Sequence, residues 1–194
     1  MAELYVGLVH YPIYNKRMQV IAGAVTNFDI HDISRTCRTY DVKRYYIIHP
    51  LEVQKNIIRK IIGYWQKGYG KIYNPDRADA LERVCWQESI AAAAEDIKQR
   101  TGKRPYIVTT DARIYPNTVS YSFMRRQLHE GDRPVLLLFG TGFGIEAEVM
   151  KSFDYILEPV YGSCDYNHLC VRSAAAIILD RLTGEAWWKK EEKV

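Results

Sequence analysis

No apolar stretch in the 194 residues approaches the roughly 18 that a membrane-crossing helix needs. The opening segment MAELYVGLVHY has neither the basic start nor the long apolar centre of a secretory signal. No membrane partner is therefore expected, and a cytoplasmic location is the default. Cysteine is scarce: Cys37, Cys85, Cys164 and Cys170 show no CxxC spacing and no companion histidines at zinc-site intervals, so free thiols and no bound metal are expected. Charge is nearly balanced, with 27 Lys and Arg against 23 Asp and Glu; the formal +4 permits a polyanionic partner without requiring one. Two nucleotide-binding signatures are also missing. No GxxxxGK[ST] run occurs, and the glycine turn GTGFG, Gly140 to Gly144, comes late in the chain and lacks the third glycine of a GxGxxG fingerprint. P-loop and dinucleotide folds are thereby disfavoured. Internal repeats, low-complexity tracts and long linkers are absent as well, so one domain over residues 1–194 is expected, with 47% hydrophobic content to fill its core.

What is present alternates between two periods. Leu4 to Val9, Tyr45 to His49, Pro105 to Thr109, Val135 to Phe139 and Asp154 to Pro159 are short apolar runs of strand type. Val20 to Val25 is a second strand or part of the first connection. Helical spacing marks Asp29 to Tyr40, Leu51 to Lys67, Ala80 to Arg100, Ser120 to Leu128 and Ala174 to Leu182, while KIYNPDRADAL between the second and third helices reads as a loop. Helices alternating with apolar strands predict an α/β fold, a mainly parallel sheet with helices on both faces.

The richest stretch is Arg133 to Leu182. A buried-type strand runs straight into GTGFG; a second strand, DYILEP, leads to the tight loop YGSCD, and YNHLCVRS opens the last helix. Strand, glycine turn and helix bring backbone N–H groups to the carboxyl edge of a sheet, where α/β proteins hold nucleotide-like ligands. Elsewhere His31, Arg35 and Arg38 stack on one face of the first helix, where they can converge on one ligand.

Three ordered motifs in that stretch, Leu138-Phe139-Gly140-Thr141-Gly142, Leu157-Glu158-Pro159 and Asn167-His168-Leu169-Cys170-Val171-Arg172-Ser173, resemble those of the SPOUT, or α/β-knot, methyltransferases. A fourth lies upstream, where Asn27 and a helix ending in Arg35-Thr36-Cys37-Arg38-Thr39-Tyr40-Asp41 are similar to the family's first motif, with Asp41 at its usual glycine. The likeness covers nearly the whole chain and is nearest to a bacterial branch of RNA methyltransferases.

The resemblance implies a deep C-terminal trefoil knot over about residues 133–182, an exception to the avoidance of threaded chains. It also implies S-adenosylmethionine bent within it, RNA as substrate, and a homodimer formed through the last helix. Cofactor contacts are then expected from Thr109, Thr110, Leu138, Phe139, Gly140, Thr141, Gly142, Gly144, Leu157, Glu158, Pro159, Val160, Gly162, Tyr166, Asn167 and Leu169. Of these, Leu138, Leu157, Val160 and Leu169 would form the apolar slot for adenine. Arg35 is the catalytic candidate by resemblance, with Arg38 beside it. A guanidinium is a poor base, so its role would be phosphate positioning and charge stabilisation. Glu146 and Asp165 are better proton acceptors for a base nitrogen; His31 and His168 read more readily as structural. The target atom is left open between a base nitrogen and the ribose 2'-hydroxyl. A non-catalytic RNA-binding protein and a protein methyltransferase are the alternatives.

Overall fold

The structure, a computed structural model, describes residues 1–185. The chain runs β1 (Leu4–Val9), β2 (Ile13–Tyr14), β3 (Val20–Ile21), α1 (Asn27–Thr39), β4 (Tyr45–Ile48), α2 (Glu52–Lys67), α3 (Tyr69–Tyr73), α4 (Pro75–Leu81), β5 (Val84–Gln87), α5 (Ile90–Thr101) and β6 (Tyr106–Thr110). It continues through β7 (Thr118–Val119), α6 (Tyr121–Glu130), β8 (Val135–Gly140), α7 (Ala147–Met150), β9 (Tyr155–Leu157) and α8 (Val171–Thr183). Seven strands form one sheet in the order β5-β4-β1-β8-β6-β9-β7, with every neighbouring pair parallel. β2 and β3 make a separate antiparallel hairpin. Among the described residues no helix is long and apolar enough to cross a membrane.

Strand alternation divides the core in two. Leu4, Val6 and Leu8 of β1 and Val135, Leu137 and Phe139 of β8 face a cluster with Ile30, Ile33 and Cys37 of α1, Met124 and Leu128 of α6, and Ala175, Ile178, Leu179 and Leu182 of α8. Tyr5, Val9, Leu136 and Leu138 point the other way, against Ala93 and Ile97 of α5 and Met150 of α7. Helices thus cover both faces of a mainly parallel sheet, as the alternation of periods predicts. α1 starts with a reciprocal cap: Asp29 N–H donates to the Thr26 hydroxyl, and the Asp29 carboxylate accepts from Thr26 N–H.

Two expectations fail between residues 71 and 100. The expected loop KIYNPDRADAL holds α3 and α4, because Asn74 caps the Arg77 N–H at 3.0 Å and Pro75 takes the first helical position, where its missing N–H costs nothing. The expected single helix from Ala80 to Arg100 is broken by β5. Leu81, Val84, Cys85 and Ile90 fall at helix-like intervals, but Val84–Gln87 pairs with β4 as the sheet's edge strand, Trp86 Nε1 donates to His49 O at 2.8 Å, and Ser89 starts a new helix by accepting from Ala92 N–H at 3.1 Å. Tertiary pairing overrides a local pattern that chance made periodic. Val20–Ile21 is a strand, though it pairs with β2 and not with the main sheet.

Because the main sheet is parallel throughout, β1, β8, β6 and β9 all end on one edge, at Val9, Gly140, Thr110 and Leu157. Leu137 lies on the central strand with no exposed surface. Leu137→Ala is expected to lower unfolding free energy by about 3 kcal/mol in urea melts.

Candidate functional site

At that carboxyl edge lies a cavity of about 870 Å³. Four segments wall it: the turn Gly140 to Gly144 after β8, Thr110 to Arg113 after β6, Glu158 and Val160 after β9, and Asn167 to Val171 entering α8. His10, Thr26 and Asp29 close one side, and Phe139, Ala174 and Ile178 supply an apolar floor.

The glycines of the turn are required by geometry. Gly142 and Gly144 have φ of +59° and +102°, and a Cβ on Gly142 would lie 2.7 Å from Tyr14 O. Tyr14 also fastens the turn: its carbonyl accepts from Phe143 N–H and its own N–H donates to Gly144 O, both at 2.9 Å. The Thr141 hydroxyl donates to Val9 O at 2.9 Å. The β2–β3 hairpin therefore clamps the turn in one shape, with the Gly142 backbone packed directly on Tyr14.

Of the cofactor residues expected from the sequence, Thr110, Phe139, Gly140, Thr141, Gly142, Gly144, Glu158, Val160, Asn167 and Leu169 line this cavity together. Thr109, Leu138 and Leu157 are fully buried, and Pro159 is buried as well. The expected slot is corrected in part. Alternation turns the Leu138 side chain into the opposite core layer and packs Leu157 within the other layer, so Val160 and Leu169 share the apolar lining with Phe139, Ala174 and Ile178 instead. Gly162 and Tyr166 are exposed on the connecting loop, outside the wall.

The four catalytic candidates lie outside the wall. Arg35 is exposed on α1, Asp165 is exposed on the loop, and Glu146 is the N-cap residue of α7. Arg38 is held by Asp79 of α4 at 2.6 Å, and His31 meets the Trp65 ring at 5.5 Å. The stripe His31, Arg35, Arg38 thus does not converge on one ligand, because two of its three members pack against the α2–α4 segment.

The sequence reading missed His10, Asp29 and Arg113 as site residues, and they stand on the wall with Asp111 of the polar strand end after β6. Asp111 binds Arg113 through both oxygens, at 2.9 and 3.0 Å, and this pairing raises the Arg113 pKa. Asp29, besides capping α1, stands 4.0 Å from Arg172 Nη1. The Cys170 thiol lies 3.2 Å from the Ser173 hydroxyl, a contact that lowers its pKa. His10 is 1% exposed, and among the described residues neither ring nitrogen has a hydrogen-bond partner. Burial pushes its pKa down to about 4, against an opposing pull from Asp29. The signal for His10 was its place directly after the first strand, the position that a parallel sheet turns toward its ligand edge.

A parallel sheet whose glycine turn and returning loop meet over one carboxyl-edge cavity defines a nucleotide-type ligand site in an α/β protein. Residues 3–184 match the profile of the SAM-dependent RNA methyltransferase family, and the chain belongs to that family. It is 45% identical over 180 residues to an uncharacterized protein of Aquifex aeolicus, covering 93% of this chain and 88% of the relative. A tRNA (guanine-N(1)-)-methyltransferase of Nitratidesulfovibrio vulgaris is 46% identical over 185 residues, 95% of this chain but 43% of that protein. The A. aeolicus TrmH/SpoU tRNA modifying enzyme shares the fold, with a TM-score of 0.54 at 18% identity over 100% of this chain and 78% of that one. The methyltransferase family expected from the sequence is borne out, and S-adenosylmethionine is that family's methyl donor. The cavity suits it. The floor of Phe139, Ala174 and Ile178 fits the purine, and Gly144 carries no side chain where the turn faces Asp111 and Arg113 across the cavity, which leaves room for a ligand's polar groups.

Burial lowers the pKa of His10, His31 and His49 alike. The unfolded chain then binds protons that the folded rings refuse, so stability present at neutral pH is lost as the pH falls from 6.5 toward about 4. The calorimetric melting temperature is expected to drop across that window, and to drop less in His10→Asn.

Proposed function

We propose that the cavity binds S-adenosylmethionine and that the protein transfers its methyl group to a nucleotide of a structured RNA. The observation that carries this is the convergence of three other loop segments on the glycine turn, whose Gly142 and Gly144 hold left-handed conformations. The bound donor supplies an electrophilic methyl carbon on a sulfonium. Around it, the turn and the segment entering α8 hold the adenosine through backbone groups, Val160 and Leu169 cover the purine, and Thr110 and Thr141 meet the polar tail. Arg35, exposed and without an ion-pair partner among the described residues, is assigned to an RNA phosphate; Arg38 is already committed to Asp79. Glu146 and Asp165, both outside the wall, carry no step in this reading.

Transfer RNA is the first candidate substrate. The curated relative named for it is more than twice as long as the region shared with this chain, so the name serves here as a guide. An RNA face is supplied by α2 and α3. Between Glu52 and Asp76 the chain carries Lys55, Arg59, Lys60, Lys67 and Lys71 and no acidic residue. Tyr64, Tyr69 and Tyr73 on the same segment are 54, 67 and 70% exposed. Cations with unburied aromatic rings suit phosphates and unpaired bases.

The knot and the dimer belong to the same reading. The chain leaves β9, recrosses the sheet edge beside β6, where Asn167 Nδ2 donates to Ala112 O at 3.0 Å, and returns to α8, which packs against α1 and α6. Such a return suits a threaded chain. Phe28 at the start of α1 is 64% exposed, with Arg172 of α8 5.2 Å over its ring, and Leu169 nearby in sequence is 41% exposed. An apolar patch at this junction suits a two-fold contact between copies. A cytoplasmic location fits an RNA substrate.

Calorimetry with S-adenosylmethionine tests the central claim, since absence of binding at millimolar ligand contradicts it. Gly142→Val is expected to abolish that binding while leaving the protein folded by circular dichroism. Replacing Lys60, Lys67 and Lys71 together by Gln is expected to weaken RNA binding, to flatten its salt dependence by about 2 in log–log slope, and to leave cofactor affinity unchanged.

A further inference from the structure

We propose that His10 accepts the proton released by the target nucleotide during methyl transfer, an assignment that rests on the reaction proposed above. The nucleophile's lone pair forms a new C–N or C–O bond to the methyl carbon while the C–S electron pair returns to sulfur. The hydrogen carried by the nucleophile is then surplus as a proton. Imidazole takes it up and becomes imidazolium, so charge and atoms balance with no further reactant.

The cavity wall leaves little choice of acceptor. Asp29 is occupied by the Thr26 N–H and hydroxyl, at 3.1 and 2.7 Å, and faces Arg172. Asp111 is held by Arg113 and by the Tyr115 hydroxyl at 3.2 Å. Glu158 accepts from Tyr121 N–H at 2.7 Å, and Cys170 is paired with Ser173. His168 stands on the exposed rim, edge-on to Tyr166 at 5.8 Å and open to solvent. His10 remains, lining the cavity with both nitrogens buried and unpaired. A buried polar atom without a partner is destabilising, and two on one ring are uncommon unless a ligand completes them.

Its placement is fixed by the sheet. Val9 is paired with Gly140, so the next residue stands beside the glycine turn. His10 N–H donates to Ile48 O at 3.0 Å, and its carbonyl accepts from Gly23 N–H at 2.8 Å. Only small residues, Ala22, Gly23 and Ala24, form the adjoining strip of chain. The groups that face the ring are Asp29 from α1, which favours the protonated form, and His49 just after β4, 6.1 Å away, which opposes it. His49 Nδ1 accepts from Leu51 N–H, so its Nε2 carries the proton and donates to Gly23 O at 3.0 Å, which leaves His49 committed. Burial keeps the His10 ring unprotonated at neutral pH, the form an acceptor needs.

The test is single-turnover transfer of labelled methyl from S-adenosylmethionine to total RNA from a strain lacking the gene, followed across pH, with His10→Gln and His10→Asn beside the unaltered protein. The expected result is a loss of at least about 100-fold in both variants, disappearance of the acidic limb of the pH profile, and a calorimetric affinity for S-adenosylmethionine unchanged within about threefold. Rates within threefold of the unaltered protein, or a slower reaction that keeps the same acidic limb, would overturn the assignment. Should the variants fail to fold, the His10 ring signal of the unaltered protein decides by NMR. It is expected to move on adding S-adenosylhomocysteine, and an unmoved signal counts against His10. Absence of transfer by the unaltered protein sinks the proposed reaction itself, and His10 with it.

Discussion

Everything in this molecule depends on the parallel register of β1 between β4 and β8. Parallel pairing sends three adjacent strands to the same edge, so the residues that follow them, His10, His49 and Thr141, meet although 131 positions separate the first from the last. No single loop could build the cavity. Gly7 shows how tight that register is, since a Cβ there would stand 2.6 Å from Leu138 Cδ2 and 3.1 Å from Ile48 Cδ1. β1 carries its glycine where both neighbouring strands press in.

On that frame the hairpin β2–β3 acts as a brace. Left-handed glycines are flexible by nature, and a turn containing two of them would ordinarily sample many shapes. Tyr14 removes that freedom with one accepted and one donated backbone bond, and Thr141 ties the turn to the end of β1. Asp29 has a similar joining role on the far wall, capping α1 and facing Arg172 of α8. The cavity is therefore bounded by backbone held from outside, which suits recognition of an adenosine by main-chain groups.

Much of this was legible in the sequence, for identifiable reasons. Strands β1, β4 and β8 are buried on both faces, so each is an apolar run, and the ordered motifs from Leu138 to Ser173 carried the family. The segment from Lys71 to Arg100 was misread because β5 is an edge strand: half-exposed Cys85, Trp86 and Gln87 give it no continuous apolar run, and its spacing mimics a helix. The site was half legible. Glycines and the apolar residues after β9 announced themselves through motif, whereas Leu138 differs from Phe139 only in which way the pleat turns it, and Leu157 shares the Phe139 layer but is packed wholly inside it. His10 and Asp111 have no motif at all. Their significance arises from the absence or presence of a partner, which is a property of three-dimensional packing.

The excursion formed by α2, α3 and α4 has a bearing on how such proteins diversify. It leaves the sheet after β4 and rejoins it at β5, and apart from Ile58 and Leu81 it lends few fully buried side chains to the main core cluster. Mutations along its outer surface therefore meet little purifying selection from folding, while the turn and the strand ends are fixed by their geometry. On the reading proposed above, target preference can change on this arm while the donor edge keeps its geometry, so specificity and chemistry rest on separate parts of one fold.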